Sequence, residues 1–321
     1  MKLTKLAFWA LVSFWAVLVG FPELAQAAPP PPPPGGASVG DMMTNLHVAM
    51  RKVPNILTTI AFIGGIALAV TGVLKLKNHV DNPQQVPLSD GIKRLIAGGA
   101  FLGLPVTTNV IKGSIFGSDT GEISGGASGY GVTAPVGPPV ALDNVAVTFI
   151  MNMATPMKYL LISFTFITGL AMILVGISRL IKTAQDGPRG PTGMGTLFTF
   201  ICGMGLMAVG QSMGTFGVSL FGTGTMKNYA VFTAAGLTVA EQDQLRSVIG
   251  AVLIFVSLVG FIAFMRGLFI LKLVADGNQN HSITQALTFL VGGALAVNLG
   301  AVVNAVQNSI GFTAIGFSFI T

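Results

Sequence analysis

The chain has 321 residues, of which 9% are charged and 52% are hydrophobic, and its mean hydropathy is +0.76. This composition excludes an ordinary soluble domain and predicts a polytopic membrane protein. The net charge of +6 does not indicate nucleic-acid binding, because no segment combines dense Lys and Arg with aromatic residues. Cys202 is the only cysteine, which excludes a disulfide framework and a thiolate metal site.

The first 27 residues have the pattern of a cleavable signal peptide. Lys2 and Lys5 precede an apolar run at 6–19, and Ala-Gln-Ala at 25–27 is a small-residue cleavage site. An uncleaved membrane anchor is the alternative interpretation. The proline run at 29–34 then predicts a stiff tether, since polyproline is extended and cannot form a packed core.

A unit of two apolar segments joined by a short basic turn occurs three times. The turns at 72–81 and 267–276 match at Gly, Leu-Lys and Asp, whereas the turn at 176–186 matches less closely. The pattern predicts an all-α membrane protein with six transmembrane helices, arranged as three repeated hairpins. Each predicted span is near the ~20 residues that cross a bilayer. The spans are 56–74, 95–111, 159–177, 194–220, 248–265 and 283–305.

These spans divide the chain into successive segments. The predicted segments are a periplasmic Pro/Gly-rich stretch (28–52), hairpin 1 (53–117), a periplasmic linker (118–155), hairpin 2 (156–222), a second periplasmic linker (223–246), and hairpin 3 with the tail (247–321).

The second segment of each hairpin is rich in glycine. Small residues let helices approach closely in lipid, so we expect these glycines to lie at helix contacts. The candidates are Gly98, Gly99, Gly103, Gly203, Gly210, Gly214, Gly292 and Gly293.

Charge indicates the orientation of the chain in its membrane. The three turns carry nine cations and four anions, whereas the segments on the opposite side carry six of each. The positive-inside rule therefore places the turns in the cytoplasm and both mature termini in the periplasm, as the signal peptide also requires.

No catalytic, cofactor or metal site is expected. His47, His79 and His281 are far apart in sequence, and no phosphate loop or nucleophile elbow is present. Arg266 directly follows the predicted span 248–265, and we expect it to extend its side chain to the membrane surface.

The first turn carries a fuller motif than the other two. It reads K-x-K-x-H-x-D-N-P-x-Q-x-P, formed by Lys75, Lys77, His79, Asp81, Asn82, Pro83, Gln85 and Pro87. This motif between two apolar helices resembles the IcmD/DotP and TraR-like inner-membrane proteins of type IVB secretion and IncI-type conjugation. The related IcmC/DotE and TraQ-like proteins share the hairpin plan. Those proteins have one hairpin, whereas this chain has three.

The resemblance implies a non-catalytic structural or assembly subunit of a secretion or DNA-transfer apparatus. Its partners would be other membrane subunits and membrane lipids, within an oligomer. A channel or small-solute transporter and a pilin-like protein are the alternatives. The first turn itself is either a docking surface or a tight hairpin that only fixes topology.

The orientation is testable by cysteine labelling in a Cys202→Ser background. A reagent that does not cross the membrane should label a cysteine introduced at Ser128 or Thr225 and should miss one at Asn82 or Asn278. The reverse labelling pattern would contradict the charge argument.

Overall fold

The computed structural model describes residues 38–116, 142–186, 192–222, 229–232, 238–311 and 317–320. The predicted signal peptide and proline run lie outside these residues. The regular secondary structure of the described residues is helical apart from two four-residue strands. The helices are α1 (Val39–Met50), α2 (Val53–Asp81), α3 (Leu88–Leu102), α4 (Leu104–Phe116), α5 (Leu142–Asp186), α6 (Gly193–Met207), α7 (Val209–Phe221), α8 (Val239–Ala275), α9 (Ile283–Val297) and α10 (Leu299–Ile310). Strands β1 (Tyr229–Phe232) and β2 (Phe317–Ile320) pair in antiparallel register.

Nine of these helices form three sets of three. The long helices are α2, α5 and α8, with 29, 45 and 37 residues. Each is followed by a return helix of 15 residues (α3, α6 and α9) and then by a shorter bent helix (α4, α7 and α10). Two return helices begin at hydroxyl caps, where Thr192 accepts from the Gly195 N–H and Ser282 accepts from the Gln285 N–H.

Three helices are long and apolar enough to cross a membrane, and each return helix with its bent helix adds a further candidate span. The predicted helical, membrane-spanning class is therefore confirmed, with three to six spans. Two long helices begin earlier than the predicted hairpins, because α5 starts at Leu142 and α8 at Val239, within the stretches assigned to linkers.

The second span of each predicted hairpin is not one straight helix. The return and bent helices meet at angles of 94°, 94° and 85° in the three sets. One residue makes each bend, namely Gly103, Ala208 or Asn298, with φ between −98° and −108° and ψ between 35° and 45°. The backbone therefore leaves the helical conformation at one residue only.

Hydrogen bonds continue on both sides of each bend. The N–H of Gly103 still donates to the Gly99 carbonyl, while the Gly103 carbonyl accepts from the Thr107 N–H and opens the next helix. The Thr107 hydroxyl donates back to the Ala100 carbonyl over 3.0 Å. Pro105 favours this break because it has no N–H to continue the first helix.

The second bend uses the same device without a proline. Ser212 lies four residues after Ala208, as Thr107 lies four after Gly103, and its hydroxyl donates to the Gly205 carbonyl over 2.9 Å. At the third bend the amide of Asn298 donates to the Ala294 carbonyl over 3.2 Å. Such hydrogen bonds favour a bend in an apolar environment, where a free carbonyl would cost several kcal/mol.

A pair of glycines brings each long helix against its return helix. A Cβ on Gly98 would lie 2.9 Å from the Ala69 nitrogen, and one on Gly293 would lie 2.6 Å from the Phe264 nitrogen. Only a glycine allows such an approach of backbones. The pairs are Gly65 with Gly98, Gly169 with Gly203, and Gly260 with Gly293.

A second contact follows seven residues later on each long helix. A Cβ on Gly72 would lie 3.0 Å from the Leu95 side chain, and one on Gly267 would lie 2.8 Å from that of Leu290. In the second pair, the ring of Phe200 lies in the same place against Gly176. Two glycines on one face thus fix the register of each helix pair.

Two apolar cores join the three helix pairs. One lies between the first and second pairs and contains Phe101, Leu104 and Ile173. The other lies between the second and third pairs and surrounds the fully buried Phe264 and Cys202.

The glycine contacts can be tested by alanine substitution. Gly98→Ala and Gly293→Ala should each destabilise the protein by about 1–3 kcal/mol, because the new methyl group collides with backbone. Thermal unfolding in detergent, followed by circular dichroism, measures the effect.

Neighbouring glycines are matched controls. A Cβ on Gly99 or Gly292 would meet nothing within 4 Å, and both residues are exposed. Gly99→Ala and Gly292→Ala should therefore be neutral or stabilise by up to ~1 kcal/mol through helix propensity. If all four variants changed the unfolding temperature in the same direction, the contact would not be the cause.

Candidate functional site: the basic turns

The first turn connects α2 to α3 and has a defined shape. The N–H of Asn82 donates to the Asn78 carbonyl over 2.9 Å and closes α2. Nδ1 of His79 donates to the Val86 carbonyl over 2.5 Å, which joins the two sides of the turn. His79 therefore holds the loop closed, and α3 begins after Pro87.

The motif of the first turn separates into anchoring and exposed residues. Lys75 lies 3.6 Å from Asp90, and Arg94 approaches the same carboxylate at 3.2 Å. Asp90 is 8% exposed, so these cations compensate a buried charge. The remaining motif residues have exposed side chains. These are Lys77, Asp81, Asn82, Pro83, Gln85 and Pro87. The first turn thus presents a cation, a carboxylate and amides on a closed loop.

A second ionic cluster joins α5 to the end of α8. The Arg179 guanidinium forms a two-point pair with the Asp276 carboxylate, and the Nη2 to Oδ2 distance is 3.1 Å. Lys272 lies 2.8 Å from the same carboxylate. Arg179 also donates to the Thr199 hydroxyl over 3.3 Å. These side chains are only about one-fifth exposed, so the cluster connects the second and third helix pairs near their turns.

Glycine makes room for this cluster at the start of α6. A Cβ on Gly195 would lie 2.8 Å from Oδ1 of Asp276 and 2.8 Å from the Thr192 hydroxyl that caps the helix. The carboxylate therefore lies close to a helix N-terminus, where the dipole favours negative charge.

The cluster holds the Asp276 carboxyl ionised. Burial raises the pKa of this carboxyl, but hydrogen bonds from Arg179 and Lys272, together with their charges, outweigh burial and lower the pKa below its ordinary value. The stabilisation is therefore complete above the unfolded pKa of ~3.9 and is lost as the pH falls through the folded pKa.

In the sequence, the charges of the second and third turns indicate only topology, and no pattern predicts that Arg179 and Lys272 pair with Asp276. One partial signal exists, because Arg179 follows Gly176 by three residues just as Lys75 follows Gly72. Both of these cations face a carboxylate at the turn end of a helix pair.

The glycines predicted for helix packing occupy three kinds of position. Gly98, Gly203 and Gly293 lie at the contacts between long and return helices, and Gly103 makes the first bend. Gly210 and Gly214 are half-buried on α7. Gly99 and Gly292 point outwards and take no part in packing within the chain.

The other polar candidates lie elsewhere. His47 shares a hydrogen bond of 2.8 Å with Ser163 and connects α1 to α5. The guanidinium of Arg266 lies 4.8 Å from the centre of the Phe289 ring, which compensates its charge in part. Within the described ranges, no group of three or more His, Cys, Asp or Glu side chains could hold a metal ion.

Comparison with known protein families, with curated proteins and with solved structures finds no match.

The role of Asp276 can be tested by its pH dependence. At neutral pH, Asp276→Asn should lower the free energy of unfolding by about 1–3 kcal/mol, because it removes charge-assisted hydrogen bonds. The difference from the wild type should shrink as the pH falls below about 4, because the wild-type carboxyl is protonated first in the unfolded chain and, at lower pH, in the folded protein. Unfolding in detergent from neutral to acidic pH gives this comparison.

Asp81→Asn is the matched control, since Asp81 is exposed at the end of α2. Its effect should stay within about 0.5 kcal/mol at neutral pH. A difference for Asp276→Asn that persists undiminished in acid would contradict the assignment.

Proposed function

We propose that this chain is a non-catalytic inner-membrane subunit with a structural or assembly role in a type IVB-like secretion or conjugative DNA-transfer apparatus. The first turn is the observation that carries the proposal. Its motif resembles that of the IcmD/DotP and TraR-like proteins, and its geometry suits docking. A loop closed by His79 loses little entropy on binding, and Lys77, Asp81 and Gln85 are exposed for polar contacts.

The chain would consist of three repeated hairpins. Three features support the repeat, and all occur at matched positions in the three sets. They are the glycine contact between long and return helix, the second contact seven residues further along, and the bend five residues after the glycine of the return helix. A single-hairpin ancestor copied twice would explain this correspondence and the greater length of the chain.

The orientation would place the turns in the cytoplasm and both mature termini in the periplasm, after removal of the signal peptide. The pair between Arg179 and Asp276 supports one part of this topology. It joins α5 near the second turn to the residue that begins the third turn, so these two turns lie at the same end of the helices. The excess of cations at that end favours the cytoplasm.

Lateral association with other membrane subunits would use the outer faces of the helices. Gly99 and Gly292 leave open space on the return helices, and apolar side chains such as Val73 and Phe255 are more than half exposed. Lipid or the helices of another subunit can cover such faces.

Gene deletion and complementation test this function. Deletion should abolish DNA or effector transfer and leave growth and solute uptake normal. Complementation with the triple variant Lys77→Ala, Asp81→Ala and Gln85→Ala should reduce transfer about tenfold or more, which corresponds to ~1.4 kcal/mol of docking energy. The protein should still reach its normal level in the membrane.

The control must come from a turn without the motif and must spare the ionic cluster. Lys272 and Asp276 are unsuitable because they join α5 to α8. Gln279→Ala with Asn280→Ala is suitable, since both side chains are exposed in the third turn. Equal and mild effects at both turns would favour a topological role alone. A transport defect with intact transfer would favour a channel.

A further inference from the structure

The return helices are short for a membrane span. Each has 15 residues, which corresponds to about 22 Å of helix, whereas the hydrocarbon core is about 30 Å thick. The chain then turns by 94°, 94° or 85° into the bent helices α4, α7 and α10. A return helix that crosses most of the bilayer must therefore end near the far side. Its bent helix must then lie roughly perpendicular to the membrane normal.

The bends are built into the fold. Each keeps its backbone bonds on both sides of one residue, and a side chain (Thr107, Ser212 or Asn298) donates to a carbonyl in the preceding helix. The three bend residues also share nearly the same backbone angles. Since nearly the same bend angle occurs three times with different bend residues, it is a common feature of the three sets.

The surface of each bent helix suits the boundary between acyl chains and headgroups. On α4 the inner side buries Leu104, Thr108 and Lys112, while Val106 and Asn109 are exposed. On α10 the exposed side combines Val306 and Ile310 with Asn308 and Ser309. The exposed residues of the bent helices are apolar side chains mixed with uncharged amides and hydroxyls. A surface of this kind suits the region between hydrocarbon and water better than either one.

We infer that the three bent helices lie in the plane of the membrane, in the leaflet opposite to the turns, with their exposed sides against lipid. The partner of these surfaces is the boundary between acyl chains and headgroups of that leaflet. The bilayer then becomes locally thinner beside the return helices, since about 22 Å of helix must match it there. The inference requires a membrane, but it does not depend on the proposed role in secretion.

Depth-dependent fluorescence quenching tests whether the bent helices lie in the plane of the membrane. Single cysteines in a full-length Cys202→Ala chain carry an environment-sensitive fluorophore. The protein is reconstituted in phosphatidylcholine–phosphatidylglycerol vesicles that contain lipids spin-labelled at defined acyl positions. One pair of sites is Val106→Cys and Gly113→Cys on α4, seven residues apart on one face, where Val106 is exposed and a Cβ on Gly113 meets nothing within 4 Å.

A matched pair on α3 provides the scale. Ile92→Cys and Gly99→Cys have the same spacing of seven residues, Ile92 is exposed, and a Cβ on Gly99 also meets open space. Seven residues of a crossing helix differ in depth by about 10 Å. We expect about this difference for the α3 pair and less than about 3 Å for the α4 pair.

The third helix pair repeats the comparison if a variant of the first does not fold. Leu287 and Val291 on α9 should differ in depth, while Val306 and Ile310 on α10 should not; all four are exposed. Equal depth differences for the return and bent helices would overturn the inference. Labels on α4 and α10 that no spin-labelled lipid quenches would overturn it as well, because protein would then cover these helices. The quenching results do not depend on whether the turn variants lose transfer, so this inference and the proposed function can fail separately.

Discussion

Where a long helix meets its return helix, a glycine on each side brings the carbonyl oxygen of one close to the backbone of the other. The Cβ position of Gly169 would lie only 2.5 Å from the Met207 nitrogen, so the approach exists only because side chains are absent. In lipid the hydrophobic effect does not draw helices together, and close backbone contact provides the dispersion energy instead. The position of each return helix, and hence of its bend and its turn, follows from this contact.

Ion pairs near the turns add to the apolar contacts between the helices. Between the second and third helix pairs, Asp276 lies against two cations and near the N-terminus of α6, and each of these favours its ionised form. Inside the first pair, Asp90 has the same relation to Lys75 and Arg94. A partly buried carboxylate with two cations leaves each cluster with one net positive charge, which is compatible with a position beside anionic headgroups.

The helical membrane class was predictable because long uncharged apolar runs have few other solutions. The glycines of the return helices were predictable as a group, but the sequence could not separate Gly98 from Gly99, since that choice depends on which face meets the long helix. The bends were harder to foresee. Pro105 is a local signal for the first bend, but Ala208 and Asn298 are ordinary helix residues in sequence. The hydrogen bonds at these bends come from Ser212 and from the Asn298 amide, and such side chains do not by themselves predict a bend. The pair between Arg179 and Asp276 joins residues 97 positions apart, and no local pattern encodes it.

The glycine contact and the bend are five residues apart in every set: Gly98 to Gly103, Gly203 to Ala208, and Gly293 to Asn298. An α-helix rotates by about 100° per residue. This constant interval therefore points each bent helix in the same direction around the return-helix axis, relative to the long helix of its set. One residue inserted between the glycine contact and the bend would rotate the direction of the bent helix by about 100° around the return-helix axis, without altering either the contact or the bend. This interval of the return helix therefore tolerates neither insertion nor deletion, whereas the turn before it does. The spacing is 33 residues from Gly65 to Gly98 and from Gly260 to Gly293, but 34 from Gly169 to Gly203.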